Sequence, residues 1–235
     1  KIDLSSEQVL LTIPSDNTCC HTGGNMEFNQ AGELFIAVGD NTNPFNSDGL
    51  GPTNNKAEEA VNDALRTSAN TMDLRGKILR IVPNSDTGYS IPKGNLFTDA
   101  EQGRAEIYVM GTRNPYTISY DEASKALYFG DVGPDAKADD PKKGPMGYDE
   151  INKVTQAGNF GWPMFIANNQ AYRDYDETND KLKAWYNPLD PINNSPRNTG
   201  SHKLPPAHIL TADNEGNLTI ERYWRASPIS DIPDN

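Results

Sequence analysis

The sequence lacks several features that would indicate a function by themselves. No apolar run approaches the ~20 residues of a membrane-spanning helix, and the two cysteines, Cys19 and Cys20, are adjacent instead of being spaced as zinc ligands. Basic residues are also scarce, since 21 Lys and Arg stand against 33 Asp and Glu and give a net charge of −12. We therefore expect no membrane span, no structural zinc site and no nucleic-acid partner.

Short alternating stretches are the most regular feature that the sequence does contain. β-Branched and aromatic residues recur in runs bounded by Gly, Pro, Asn or Asp, which is typical of strands. The chain has 19 Gly and 17 Pro, so turns and loops are frequent. Strands are predicted at residues 34–40, 77–83, 106–111, 116–121 and 126–131. This pattern predicts an all-β chain with little helix.

Two predicted hairpins share one pattern. The first is MEFNQAGELFIAV with its turn at 29–32, and the second is YTISYDEASKALYFGD with its turn at 121–124. Each continues into Gly-Asp, and the two Gly-Asp strands lie about 90 residues apart, a weak internal repeat of the kind that radial β architectures produce. A further hairpin is predicted near the C-terminus, around Asn214–Gly216.

The rest of the chain is less regular. A long insertion at 41–73 contains one helix-compatible stretch, NKAEEAVNDALRTSA, and long loops in compact domains are often functional. Residues 168–235 are rich in Asn, Asp, Pro and Tyr and form an irregular C-terminal region. We interpret 1–235 as one domain that contains both regions.

Two motifs carry nitrogen-bearing side chains suited to catalysis or ligand binding. His21 is followed by two glycines; histidine can act as a base near neutral pH, and glycines let a ligand approach the backbone. Arg113 and Asn114 follow a predicted strand in GTRNPY, where they could contact a carboxylate or a quinone oxygen. A solvated histidine and an Asn-Pro turn with a surface arginine are the alternatives from the residues alone.

Two further motifs offer oxygen and sulfur atoms. Gly133-Pro134 lies in FGDVGPDAKADD, close to several carboxylates and upstream of YDEIN. Backbone carbonyls with carboxylates are the ligands that Ca²⁺ prefers, although a solvated acidic loop has the same composition. Cys19 and Cys20 could form a vicinal disulfide or remain two free thiols.

Five stretches of the sequence resemble the glucose/sorbosone dehydrogenase family of pyrroloquinoline-quinone-dependent sugar dehydrogenases. They are, in order, CCHTGGNMEFNQAGELFIAVGDNTNPF, SANTMDLRGKILRI, IYVMGTRNPYTISYD, LYFGDVGPDA and YDEINKVTQAGNFGWP. The resemblance is greatest to versions found in large multidomain bacterial proteins, and it covers about residues 1–205. It implies a six-bladed β-propeller that carries the quinone on its top face, with Ca²⁺ beside it. A sugar substrate, an electron acceptor such as a cytochrome c or a quinone, and a periplasmic or extracellular location are implied as well.

The resemblance also implies roles for individual residues. His21 matches the base that takes a proton from the anomeric hydroxyl, and Asp40 matches the carboxylate that orients this histidine. Arg113 and Asn114 match the pair that contacts the quinone, where Arg113 also stabilises charge during catalysis. The carbonyls of Gly133 and Pro134 match those that hold the cofactor's Ca²⁺, and Glu150 matches a carboxylate at a separate structural Ca²⁺.

The length of the chain departs from the family pattern. At ~40 to 50 residues per four-stranded blade, the chain provides about four blades of the six. We therefore expect a partial propeller, either a fragment of a longer protein, which need not be active as an isolated chain, or a truncated relative that has lost cofactor binding. Cys20 stands where the soluble glucose enzymes have an aspartate, so no sugar specificity is implied. Two other functions remain open: a non-catalytic calcium-binding propeller that binds carbohydrate or protein, and a calcium-dependent hydrolase or lactonase.

Overall fold

The protein is built from short strands. The computed structural model describes residues 4–16, 20–53, 57–85 and 88–176, with the further strands at 181–185, 202–203, 208–212 and 218–222. The strands are β1 Met26–Phe28, β2 Leu34–Val38, β3 Lys77–Asn84, β4 Gly88–Ser90, β5 Ile107–Met110, β6 Pro115–Asp121, β7 Ala126–Asp131, β8 Glu150–Val154, β9 Gly158–Asn159, β10 Phe165–Ile166, β11 Gln170–Ala171, β12 Arg173–Asp176, β13 Lys181–Trp185, β14 His202–Lys203, β15 His208–Ala212 and β16 Leu218–Arg222.

Helical structure in the described residues is confined to short 3₁₀ turns. These span Leu4–Ser6, Pro44–Asn46, Ala57–Asn62 and Ala64–Arg66. The described part of the chain contains no α-helix, which confirms the all-β prediction, and none of its helices has the length and apolar character needed to cross a membrane. The predicted helical stretch in the insertion is therefore only partly correct, because it forms 3₁₀ turns.

Two larger sheets contain the strands of the predicted site. The first has the order β1-β2-β3-β5-β9, and β4 pairs with the last three residues of β3. The second has the order β14-β8-β7-β6, and three two-stranded pairs, β10-β11, β12-β13 and β15-β16, complete the described strands. All pairings are antiparallel except β5 with β9, which is parallel. The predicted propeller and its number of blades stay predictions.

The two larger sheets share an apolar cluster. Alternate residues of β2 point to opposite faces, so Phe35 and Ala37 enter this cluster while Ile36 and Val38 pack on the other face. The remaining fully buried members are Ile78, Tyr108, Val109, Ile118, Leu127, Phe129 and Val154. Packing on both faces of β2 fixes its register, and hence the position of the residues that follow Val38.

The two predicted hairpins are confirmed. Met26 pairs with Ile36 around the turn at 29–32, where the amide of Gly32 donates to the carbonyl of Asn29 over 3.0 Å. β6 and β7 form the second hairpin around the turn at 121–124. The predicted C-terminal hairpin has its two strands, β15 and β16, while its turn lies outside the described residues.

Candidate functional site

The loop that carries His21 lies against the end of β2. The amide of Gly24 donates to the carbonyl of Ala37 (2.9 Å), and the amide of Asn41 donates to the carbonyl of His21 (3.1 Å). His21 itself has a φ of 52°, in the left-handed region that few side-chain-bearing residues adopt. A Cβ at Gly39 would lie 2.1 Å from the carbonyl oxygen of His21. Glycine at position 39 therefore permits this close approach.

His21 and Asp40 form a buried pair. Nδ1 of His21 donates a hydrogen bond to Oδ1 of Asp40 over 2.7 Å, and the Asp40 side chain has no solvent-exposed area. The amide of Thr42 donates to the same carboxylate oxygen over 2.9 Å. Because an ionised carboxylate only accepts hydrogen bonds, the proton of a neutral His21 lies on Nδ1, which leaves Nε2 as the basic nitrogen.

The second oxygen of Asp40 is bound by a residue far away in sequence. Nε1 of Trp162 donates to Oδ2 of Asp40 over 2.8 Å, within the buried interior. The amide of Asp40 donates to the carbonyl of Arg113 over 2.8 Å. The site therefore joins the ends of β2 and β5 with the segment after β9.

Asp131 fixes the backbone of the Arg113–Asn114 turn. Its carboxylate accepts hydrogen bonds from the amides of Arg113 (3.0 Å) and Asn114 (2.6 Å). Nη1 of Arg113 donates to the carbonyl of Val132 (2.9 Å), and its guanidinium lies 5.9 Å from the centre of the Trp162 ring. Burial lowers the pKa of Arg113, while the charges of Asp40 and Asp131 oppose this shift, so the guanidinium remains cationic.

Asn114 carries an unpaired polar atom beside this turn. Its side-chain oxygen is buried and has no hydrogen-bond partner among the described residues. A buried polar atom without a partner is uncommon in a folded protein and is expected where a ligand completes the site. Arg113 thus offers a cation that suits anionic oxygens of a ligand, and Asn114 offers an oxygen that can accept a hydrogen bond from a donor on the same ligand.

A small cavity brings together the predicted calcium ligands. Gly133, Pro134 and Glu150 line a space of about 10 Å³, with Asp131 and Arg113 also in its wall. A volume of ~10 to 15 Å³ is enough for one water-sized occupant. Gly133 is held tightly here, since a Cβ at this position would lie 1.8 Å from the carbonyl oxygen of Tyr148. The cavity therefore has the size and the oxygen groups for a single cation.

Two carboxylates meet at this cavity, that of the buried Asp131 and that of the partly exposed Glu150. Asp131 of β7 and Glu150 of β8 are direct partners in the strand register. Burial raises the pKa of Asp131 to about 7, with the Glu150 charge as the next cause, and burial raises the pKa of Glu150 as well. Adjacent carboxylates are costly unless a cation or a proton balances them, and Ca²⁺ prefers oxygen ligands of this type. Asp131 and Glu150 thus offer oxygen atoms of the type that Ca²⁺ binds, although the described residues contain no group of three or more His, Cys, Asp or Glu side chains that could hold a metal ion.

A buried lysine supports the junction of β2, β3 and β5. Nζ of Lys77 donates to the backbone carbonyls of Thr67 (2.8 Å), Ser68 (3.0 Å) and Arg75 (2.8 Å). The residue is fully buried, and this burial lowers its pKa to about 7. The amide of Gly76, next to the lysine, donates to the carbonyl of Gly39 over 2.9 Å. Because Gly39 is the residue before Asp40, this junction supports the backbone that carries the Asp40 carboxylate.

A larger cavity adjoins His21 on another side. Its volume is about 190 Å³, and its wall combines residues 13–15, the loop from His21 to Gly24, and Ile36 and Val38 of β2. Most of this wall is apolar. Cys20, directly before His21, is disulfide-bonded, and Cys19 is the other cysteine of the sequence.

The structure brings most of the predicted site residues together. His21, Asp40 and Arg113 are linked through hydrogen bonds, and Arg113 shares a cavity wall with Gly133, Pro134 and Glu150. Sequence reasoning gave no role to Trp162, Asp131 or Lys77. The only sequence signal for Asp131 is that it repeats the Gly-Asp strand end of Asp40.

Comparison with known proteins assigns the family of this all-β chain. The family model described as Glucose / Sorbosone dehydrogenase matches residues 2–195. The chain belongs to the glucose/sorbosone dehydrogenase family, as the sequence motifs predicted.

Several sugar dehydrogenases are similar to the chain. The aldose sugar dehydrogenase YliI of Escherichia coli is 30% identical over 157 residues, which are 66% of this chain and 32% of that protein. The quinoprotein glucose dehydrogenase B of Acinetobacter calcoaceticus is 24% identical over 215 residues, 85% of this chain and 37% of that protein. The structure of the PQQ-bound aldose sugar dehydrogenase from Streptomyces coelicolor matches at 22% identity with a TM-score of 0.44, covering 66% of this chain and 34% of that one. The chain thus spans about a third of the length of these relatives.

Proposed function

We propose that the protein is a quinoprotein sugar dehydrogenase that oxidises the anomeric carbon of an aldose. The observation that carries this proposal is the buried His21–Asp40 pair, which a single backbone hydrogen bond joins to Arg113. A base and a cationic anion-binding group in such proximity suit the removal of a proton beside an electron-accepting cofactor. The names of the relatives from Escherichia coli and Acinetobacter calcoaceticus support the same class of reaction.

In this proposal, His21 takes the proton of the anomeric hydroxyl at Nε2. Asp40 holds the ring through Nδ1 and stabilises the charge that the ring gains, as a buried carboxylate does in other acid-base pairs. When bound, pyrroloquinoline quinone would supply the hydride acceptor, and Ca²⁺ would supply positive charge beside it. Arg113 and Asn114 would bind and orient this cofactor, and the guanidinium of Arg113 would supply positive charge beside it.

The carbonyls of Gly133 and Pro134, together with Glu150, are the proposed calcium ligands. Their support is the shared cavity and the two carboxylates that line it. The proposed reaction needs an electron acceptor, for which a cytochrome c or a quinone has suitable chemistry. A periplasmic or extracellular location fits such a reaction.

The test combines cofactor titration with a sugar oxidation assay. The full-length protein is titrated with pyrroloquinoline quinone and Ca²⁺ while absorbance is followed, and dye reduction is then measured with a panel of aldoses. The variant His21→Ala is expected to lose turnover while its Kd for the quinone stays within about threefold, because His21 contributes the base and not the binding groups. His208→Ala, in strand β15 and outside the motifs, is the control and should retain activity.

Three outcomes would contradict the proposal. An absence of both a spectral change and dye reduction in the full-length protein would remove the dehydrogenase assignment. Equal loss of binding and turnover in His21→Ala would make His21 a binding residue. Hydrolysis of a lactone with Ca²⁺ alone would favour the calcium-dependent hydrolase instead.

A further inference from the structure

We propose that Trp162 is a positioning residue, whose indole N–H fixes the carboxylate of Asp40 and thereby the orientation of His21. The kinetic consequence of this role rests on the proposed function. The geometric consequence, a fixed His21 ring, can be tested in the chain without any cofactor.

The carboxylate of Asp40 has one fixed orientation because both of its oxygens are engaged. Oδ1 accepts from Nδ1 of His21 (2.7 Å) and the amide of Thr42 (2.9 Å), whereas Oδ2 accepts from Nε1 of Trp162 (2.8 Å). The indole is the one partner of Oδ2 among the described residues. With both sides held, the carboxylate cannot rotate away from the imidazole.

Trp162 is itself held firmly. Its amide donates to the carbonyl of Gly111 over 3.0 Å, and its ring packs edge-on against Tyr172 with the centres 6.1 Å apart. The side chain is only 4% exposed, in an apolar cluster with Leu50, Ala64 and Ile166. An anchored indole in a dry environment makes a strong and directional hydrogen bond to a carboxylate.

Trp162 also connects the two halves of the site. Its ring lines the small cavity with Gly133 and Glu150, and the guanidinium of Arg113 lies 5.9 Å from the ring centre. One side chain thus contacts the carboxylate behind the base and the region proposed to hold the cation. Loss of the indole N–H should disturb the base, and Trp162→Phe removes this donor while keeping an aromatic side chain in the cluster.

The first experiment uses nuclear magnetic resonance of the cofactor-free chain. The sequence has three tryptophans, so three indole N–H signals are expected. Asp40→Asn should shift the Trp162 signal far more than the other two, because the acceptor of its N–H changes. Trp162→Phe should also make the Nδ1–H signal of His21 exchange faster with water, since the carboxylate is then free to rotate. Unchanged indole signals in Asp40→Asn, which keeps the tryptophan in place, would overturn the proposal even if Trp162→Phe fails to fold.

The second experiment separates kcat from KM. Trp162→Phe should lower kcat by ~10- to 100-fold, as expected for a small misplacement of a catalytic group, with KM for the aldose and Kd for the quinone within about twofold. Tyr172→Phe is the matched control, because it removes a buried hydroxyl from the same cluster that has no partner among the described residues. Its kcat should equal that of the wild type.

The outcomes distinguish this inference from the proposed function. If the full-length protein shows no quinone-dependent turnover, the proposed function fails, and the resonance experiment still decides the role of Trp162. A Trp162→Phe variant with unchanged kcat and an unchanged His21 signal overturns the positioning role. An equal loss of kcat in Tyr172→Phe would do the same, because the effect would then come from packing.

Discussion

Replacing Gly39 by alanine should break the His21–Asp40 pair without changing any side chain of the site. A Cβ at position 39 would lie 2.1 Å from the carbonyl oxygen of His21 and 2.4 Å from its carbonyl carbon. Both are backbone atoms, so no side-chain rotation relieves the contact. Position 39 does not need a left-handed backbone, and the expected effect is therefore steric alone.

The size of the displacement follows from these distances. Cβ atoms approach other heavy atoms to no less than 3.0 Å, so the loop of His21 must move by about 0.9 Å from its position at 2.1 Å. The hydrogen bond from Nδ1 of His21 to Asp40 measures 2.7 Å, and a shift of this size along it gives about 3.6 Å. At ~3.6 Å a hydrogen bond no longer forms. Because ~1 Å of misplacement can cost ~10²-fold in rate, kcat should fall by about two orders of magnitude.

The assay measures kcat, the Kd for the quinone and the unfolding free energy of Gly39→Ala. Gly130→Ala is the matched control, because a Cβ in this β7 residue meets only the end of the Thr117 side chain, at 3.2 Å. Gly39→Ala should lose turnover and the protected Nδ1–H signal of His21 while still binding the quinone. A variant with kcat within threefold of the wild type would refute the steric reasoning.

The remaining predictions concern the two buried charge centres. Burial lowers the pKa of Lys77 to about 7, whereas an exposed lysine in the unfolded chain titrates near ~10.4. Between these values the unfolded chain holds the extra proton, so the unfolding free energy should rise with pH from about 7 to 10, by up to ~1.4 kcal/mol per pH unit. Lys77→Met should remove this rise in urea titrations, and equal slopes in both proteins would contradict it. At 100 times its Kd, Ca²⁺ should stabilise the wild-type chain by about 2.7 kcal/mol, and this should fall to about 0.4 kcal/mol if Glu150→Gln weakens binding ~100-fold. Thermal unfolding with and without Ca²⁺ measures this effect, Glu101→Gln at an exposed position is its control, and undiminished stabilisation in Glu150→Gln would exclude Glu150 as a ligand.

Local sequence patterns predicted the strands and hairpins because these depend on neighbouring residues. The alternation in 34–40 places Phe35 and Ala37 on one face of β2, and the Asn and Gly residues of 29–32 suit a tight turn. The parallel pairing of β5 with β9 depends on contacts distant in sequence, so no local pattern indicated it. The prediction of a helix in the insertion was only partly correct. Asp63 accepts a hydrogen bond from the amide of Leu65, and this cap divides the stretch into separate 3₁₀ turns.

The site residues that lie in family motifs could be predicted from the sequence, whereas contacts between residues distant in sequence could not. His21, Asp40 and Arg113 were predicted from family motifs, and the structure joins them through hydrogen bonds. Trp162 was overlooked because its bond to Asp40 spans 122 positions of the chain. Lys77 was overlooked because its partners are backbone carbonyls, which every sequence contains. Neither contact leaves a pattern in the residue types.

The ammonium group of Lys77 makes one part of the site independent of dissolved ions. In its protonated form, which its pKa of about 7 favours below that pH, it gathers three carbonyl oxygens as a bound metal ion would, but the cation is covalently part of the chain. The neighbouring cavity with Asp131 and Glu150 has two carboxylates and is proposed to take its cation from solution. A chelator is therefore expected to disturb the residues around Glu150 first and to leave His21, the base beside Gly39, in place. In a calcium-poor medium, the His21–Asp40 pair would then keep its geometry after the cavity at Glu150 has lost its cation.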